Sequence, residues 1–296
     1  MDTIITKFGA QIKGALSLTK VSNILTEDNV YQEGQDDILP ILDKMMETLM
    51  LSGSGVDGME NLDELFAKAE SGKSCLLLME HYSNFDLSMF HCLIRRAGGH
   101  GKDIAKALIA IAGMKLNEDN PAVAAFASAY TRIVICPSRS LQVLDAEKDR
   151  AEIIRLNSIN RAALKILNEL KVKGRIVLVF PSGTRYRAWD PLSKKGVREI
   201  DSYIRIFDYM CCVAINGQIL HIQQTDMMND IVTADLVRIT AGPVHSCAEF
   251  RDKARAAAEA NGIEDKKQAA VDAIMAELEE LHVTAEEKRQ TLLKRG

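Results

Sequence analysis

A chain of 296 residues that is 47% apolar, 26% charged and only 5% aromatic can bury one large hydrophobic core, or one large and one small. Its scarcity of aromatic residues points to helices and a parallel sheet rather than an all-β fold. A net charge of −4 excludes a global basic field, so no nucleic acid is expected as a partner, and an anion must be held locally. Six cysteines (Cys75, Cys92, Cys136, Cys211, Cys212 and Cys247) contain no C-x-x-C pair and read as reduced, buried thiols of a cytoplasmic protein. No basic start leads into a continuous apolar core, so no signal peptide is expected. No run reaches the roughly 18 apolar residues of a membrane span. The best candidates, 104–116 and 122–136, are broken by Lys106, Gly113, Lys115 and Arg132.

In chain order, Ile4, Ile5, Phe8, Ile12, Leu16, Ile24 and Leu25 recur at mostly helical spacing, with Lys7, Lys13 and Lys20 between them. This amphipathic segment, Thr3–Leu25, either packs inside a small helical domain or makes peripheral membrane contact through its lysines. Asp36-Asp37 starts a second helix that buries Ile38, Leu39, Leu42, Met45, Met46, Leu49 and Met50. Leu51-Ser52-Gly53-Ser54-Gly55-Val56-Asp57-Gly58 reads as a linker. The expected organisation is a helical N-terminal domain over 1–55 and an α/β domain over 56–296.

From Asn61 onward strands and helices alternate. Helices are expected over Leu62–Ala69, Phe85–Ala97, Pro121–Ala129, Ala151–Lys171 and Val197–Tyr209, with charged helices over Phe250–Gly296. Strands are expected over Ser74–Met79, Ala107–Ala112, Arg132–Cys136, Arg175–Phe180, Cys211–Ile215 and Leu236–Thr240. The run Arg-Ile-Val-Leu-Val-Phe is apolar on both faces, as a central parallel strand should be. The fold class is therefore α/β: a mostly parallel central sheet covered by helices, preceded by the small all-helical domain.

Several motif matches fail on context. The letters G-x-G-x-x-G at Gly53–Gly58 follow a helix, not a strand. Gly101-Lys102 lacks the rest of a phosphate-binding loop, and there is no G-x-S-x-G elbow. His81, His91 and Cys92 lack metal-ligand spacing, so neither a metal nor another cofactor is expected. His100, His221, His245 and His282 read as surface or hydrogen-bonded histidines.

Two segments remain, each directly after a predicted strand, where open α/β sheets bind ligands. The first is Glu80-His81-Tyr82-Ser83-Asn84-Phe85-Asp86. Ser83 or Asn84 is suited to cap the helix that follows. His81 can fold back so that one ring nitrogen reaches Asp86, leaving the other as a base. The plainer alternative is a helix-start carboxylate and a loop histidine. The second is Phe180-Pro181-Ser182-Gly183-Thr184-Arg185-Tyr186-Arg187. Its turn can expose backbone N–H groups as an anion nest, and Arg185 and Arg187 alternate onto one side, unless they simply form a solvated face. Trp189 is expected to pack. A base beside a phosphate clamp suggests an enzyme acting on a hydroxyl of a small phosphorylated molecule.

His-x4-Asp after one strand and Phe-Pro-x-Gly-Thr-Arg after another resemble the glycerolipid acyltransferases. Ser182 stands where the usual bacterial lysophosphatidate branch has Glu. Pro181-Ser182-Gly183-Thr184-Arg185-Tyr186-Arg187 is closer to the Pro-Ser-Gly-Gly-Arg-Asp-Arg of the soluble plastid-type glycerol-3-phosphate 1-acyltransferases. The similarity runs from about Ser74 to Val244, includes Leu156-Asn157-Ser158-Ile159-Asn160, and is weak outside the motifs. That branch also carries a small N-terminal helical domain. The resemblance implies His81 as general base and Asp86 as its orienting partner. Arg185 and Arg187 would hold the substrate phosphate, and Gly183 and Thr184 would shape their turn. The family's basic cluster after the strand at 132–136 is reduced here to Arg139, a weaker phosphate ligand, and Gly113-Met114-Lys115 matches a further block only loosely.

The implied reaction moves a fatty acyl group from acyl carrier protein or coenzyme A to the sn-1 hydroxyl of glycerol 3-phosphate in phospholipid synthesis. The alternatives are a lysophospholipid acyltransferase acting on 1-acylglycerol 3-phosphate, or a non-catalytic lipid-phosphate-binding protein on the same fold.

Overall fold

The apolar runs become strands because each can be buried on both faces at once. The computed structural model describes residues 2–20, 24–118 and 120–294. Among these, the strands are Asp2–Thr3 (β1), Tyr31–Gln32 (β2), Gly55–Asp57 (β3), Cys75–Met79 (β4), Leu108–Gly113 (β5), Arg132–Ile135 (β6), Ile176–Val179 (β7), Tyr209–Asn216 (β8), Leu220–His221 (β9), Ile231–Val232 (β10) and Arg238–Ser246 (β11). An eight-stranded sheet runs in the order β2-β6-β5-β7-β4-β8-β11-β3, and β1, β10 and β9 form a small antiparallel sheet. The neighbours β6, β5, β7, β4 and β8 are all parallel. The outer pairs β2–β6 and β8–β11 are antiparallel, and β3 joins β11 in parallel. The expected mostly parallel sheet between helices is therefore present.

Side chains alternate along each strand and feed two cores. Cys75, Leu77, Met79, Ile176 and Leu178 enter one, with the helices Ile4–Leu18, Leu39–Leu49, Met59–Glu70 and Asp86–Arg96. Leu76, Leu78, Val177 and Val179 enter the other, with Arg150–Leu170, Ile200–Ile206 and Lys266–Leu293. Cys211 and Cys212 fall on opposite faces, as strand alternation requires, and all six cysteines are buried. Burial pushes the Cys75 and Cys247 thiols up to about 12.

The described residues of 1–55 share a core with the sheet. Ile4, Phe8, Ile12, Leu42 and Met45 share one apolar cluster with Cys75 and Leu77 of the sheet. β1 pairs with β10, and β2 extends the main sheet against β6. An amphipathic stripe records only that a helix must be covered, not by what. The segment read as a linker contains β3, paired in parallel with Arg238–Thr240, and Asp57 binds the Arg238 guanidinium. Its glycines and serines hide a strand whose partner lies far along the chain. The helix Gly101–Ala107 was not anticipated, and Val197–Tyr209 narrows to Ile200–Ile206.

The N-terminal helix turns its stripe inward. Phe8 is 2% exposed and Ile12 5%, while Ile5 is 48% exposed. Thr3 and Thr6 form a reciprocal capping box at its start. Residues 21–23 of the segment read as a membrane candidate, and residues 295–296 of the C-terminal helical stretch, lie outside the described residues. Among the described residues no helix is long and apolar enough to cross a membrane.

If this helix is part of the core, Phe8→Ala should cost about 3–5 kcal/mol, as other buried Phe→Ala changes do. Denaturant unfolding of the two chains measures it; a detachable interfacial helix would show no such loss.

Candidate functional site

β4 and β7 are parallel neighbours in register, Leu78 opposite Val179. The segments that follow them therefore leave the carboxyl edge of the sheet side by side. After β4 the chain turns into the helix Asp86–Arg96 on the first core face; after β7 it reaches Ile200–Ile206 on the second. Neighbouring strands whose connections diverge to opposite faces leave a crevice at their carboxyl ends. One main-chain bond joins the two segments across it: Tyr186 N–H donates to the His81 carbonyl at 2.6 Å.

Asp86 is fully buried and satisfied. Its Oδ2 lies 2.9 Å from His81 Nδ1 and accepts the N–H groups of Tyr82 (2.6 Å) and Ser83 (2.9 Å). Its Oδ1 accepts the Ser83 hydroxyl at 2.8 Å. Because ionised Asp86 only accepts, His81 must donate from Nδ1, which leaves Nε2 as the basic nitrogen. The Phe180 ring stacks on the imidazole with centroids 3.9 Å apart and planes 18° from parallel. Asp86 and Phe180 thus fix the direction and the plane of the ring.

The helix start differs from expectation. Phe85 is its N-cap residue, without a side-chain cap. Ser83 instead accepts Phe85 N–H at 3.1 Å while donating to Asp86, so its hydroxyl serves the carboxylate.

The second segment turns at Gly183, whose φ of +61° suits glycine, and where a Cβ would press on Val197 at 3.3 Å. Ser182 Oγ donates to Thr184 O at 2.6 Å. The expected nest is partly consumed by the fold. Gly183 N–H closes on Phe180 O, Tyr186 N–H on His81 O, and Arg187 N–H on Ser193 Oγ. The guanidinium groups are left as the strongest anion ligands.

These point to different neighbours rather than in a single row. Arg185 is mostly covered, with Nη1 3.5 Å from Asp230 Oδ2, and the two atoms make no hydrogen bond. Burial lowers the Arg185 pKa, while the carboxylates of Asp230 and Asp86 oppose that and the Arg187 charge adds to it. Burial likewise raises the Asp230 pKa. Arg187 is more exposed: Nη2 reaches Thr184 Oγ1 at 3.4 Å, and Nη1 is 3.8 Å from Asp190 Oδ2. Arg139 donates to the Gly183 carbonyl at 2.8 Å, so it buttresses the turn. Asn160 holds both the N–H and the carbonyl of Cys136, fixing the loop that delivers Arg139. Gly113-Met114-Lys115 lies at the end of β5 on the same edge, with Met114 N–H bound to Ile135 O. Trp189, expected to pack, is 43% exposed.

Sequence reasoning missed Phe180 as the stacking partner, Asp230 opposite Arg185, and the ties of Glu80 and Tyr82 to His282. Phe180 and Glu80 adjoin the motifs and were in view; Asp230 and His282 carry no local signal. His282, His245 and His221 are each held, by Glu80, Glu277 and Thr233 respectively. Among the described residues no cluster of three or more His, Cys, Asp or Glu is placed to hold a metal ion. No protein-family model matches this chain, and a search of curated proteins found no match.

Replacing Asp86 separates its two roles. Asp86→Ala strands several buried donors, each worth about 1–3 kcal/mol, so it should unfold in clearly less denaturant. Asp86→Asn keeps an acceptor for His81 and should lose far less stability. Urea titration of both variants checks the ordering.

Proposed function

We propose that this chain is an acyltransferase that moves a fatty acyl group from a thioester of acyl carrier protein or coenzyme A to the sn-1 hydroxyl of glycerol 3-phosphate. One observation carries the reading: an oriented imidazole and two arginines stand on adjacent segments joined by the Tyr186–His81 main-chain bond. The resemblance of both segments to glycerolipid acyltransferases supports it further.

In this mechanism Arg185 and Arg187 hold the phosphate by charge-assisted hydrogen bonds. His81 Nε2 takes the proton of the glycerol hydroxyl as its oxygen attacks the thioester carbonyl. Asp86 stabilises the imidazolium that forms and keeps the ring in the donating Nδ1 tautomer. Collapse of the tetrahedral intermediate breaks the C–S bond, and the imidazolium returns the proton to the departing thiolate. The product is an ester, and no acyl-enzyme is required.

Purified protein incubated with glycerol 3-phosphate and either thioester should release thiol and form 1-acylglycerol 3-phosphate. Turnover only with 1-acylglycerol 3-phosphate as acceptor would move the assignment to a lysophospholipid acyltransferase. No turnover with any acceptor would leave phosphate binding without catalysis. His81→Ala should lower kcat by about 10²–10⁴-fold, the usual worth of a general base, while glycerol 3-phosphate still binds.

Arg185→Ala and Arg187→Ala should raise the KM for glycerol 3-phosphate far more than that for the thioester. Lysine should rescue either position poorly, because an ammonium cannot make a bidentate contact. Initial-rate kinetics varying each substrate in turn distinguishes this from a shared structural loss.

A further inference from the structure

Both neighbours of His81 are tied to the C-terminal helix Lys266–Leu293. Glu80 is 6% exposed, an uncommon place for a carboxylate without partners. Its Oε2 accepts Ile215 N–H at 2.8 Å and faces His282 Nδ1 at 2.8 Å. Its Oε1 accepts the Tyr82 hydroxyl at 3.0 Å, and that hydroxyl also lies 3.3 Å from His282 Nδ1. Among the described residues, His282 is the basic group at ion-pair distance from Glu80.

Tyr82 joins this network to the base. Its side chain is held by Glu80, its ring meets Tyr186 edge-on with centroids 5.9 Å apart, and its N–H donates to Asp86 Oδ2. His81 therefore lies between two residues whose side chains are both fixed through His282. The space on this side, lined by Glu80, His81, Tyr82, Ser182, Tyr186 and Lys194, measures about 20 Å³. That volume admits about one water. His282 does not line it and borders instead a wider groove of about 490 Å³ with Glu286 and Gln290, so it reaches His81 through Glu80 and Tyr82.

We propose that His282 is a positioning residue for the base: its contact with Glu80 sets the Glu80–Tyr82 frame that keeps His81 aligned on Asp86 and Phe180. The inference rests on reading His81 as the base of acyl transfer. The helix has independent anchors, since Arg289 binds Asp235 and the Leu236 carbonyl, and Asn216 donates to the His282 carbonyl. Loss of the imidazole alone should leave the helix in place.

The network makes the alignment dependent on pH. Burial lowers the His282 pKa, but the hydrogen bond and charge of Glu80 outweigh it, with Lys194 opposing and Glu279 assisting, so the net shift is upward. A histidine raised in the folded state contributes its full stabilisation below its unfolded value and loses it as pH rises through the folded value. The frame should therefore loosen on the alkaline side.

The test uses the full chain and two variants, His282→Gln and Tyr82→Phe. His282→Gln should lower kcat about tenfold, leave both KM values within about twofold, and abolish the alkaline fall of kcat expected of the parent. NMR titration of the His81 imidazole should shift between parent and variant. An unchanged kcat with an unchanged alkaline limb overturns the proposal. If His282→Gln does not fold, Tyr82→Phe, which deletes one hydrogen bond to Glu80, carries the test: about a threefold loss in kcat is expected, and none overturns it. If the parent shows no acyl transfer, the functional reading fails by itself. The His81 titration then decides the positioning claim alone, and identical titration in parent and variants sinks it.

Discussion

The Asp86 carboxyl lies in a place with no access to solvent, and the site is organised around satisfying its two oxygens. A buried carboxylate is tolerated only when its oxygens are filled with donors. Here they come from the Tyr82 and Ser83 main chain, the Ser83 hydroxyl and the His81 ring. These contacts convert a loop into a rigid turn, because all the donors must converge on two atoms. The imidazole is one of the donors, so its direction is set by the same requirement that folds the loop. Phe180, arriving from the neighbouring strand, closes the remaining rotational freedom by stacking on the ring.

A second buried pair answers the first across the crevice. Arg185 is drawn toward Asp230, which is itself held by Gln223 N–H on its other oxygen. The loop bearing Asp230 is tied down from two directions. Ile4 N–H donates to the Asp230 carbonyl and β1 pairs with β10 beside it, while Asn84, in the segment that bears His81, reaches Met227 Sδ at 2.9 Å. The N-terminal helix, read from sequence as a separate module, is thereby part of the scaffold behind the arginine. The C-terminal helix plays the matching part behind His81 through His282 and Glu80. Helices near both ends of the sequence brace one edge of the sheet.

Parallel strands concentrate this arrangement. β6, β5, β7 and β4 all point their carboxyl ends to one edge, so Arg139, Lys115, the Gly183 turn and His81 emerge along it although they are far apart in sequence. The antiparallel strand β11 and the edge strand β3 extend the sheet away from the crevice.

By itself the sequence determined whatever depends on short spacing. Runs apolar on both faces, such as Ile176–Val179 and Cys75–Met79, can only be central strands. His81 and Asp86 lie five positions apart across a turn, near enough for the chain to bring them together whatever surrounds it. Glycine at 183 similarly announced a turn, and the structure shows that its φ is positive. The tertiary structure alone decided the long-range partners: Asp230 for Arg185, His282 for Glu80, Arg238 for Asp57, and the cover of the N-terminal helix. It also redirected Arg139 onto a carbonyl and used up backbone donors that the turn alone left open. The reason is physical. Local spacing restricts only the few torsions between two residues, whereas a contact across two hundred residues depends on strand order, which no single segment encodes.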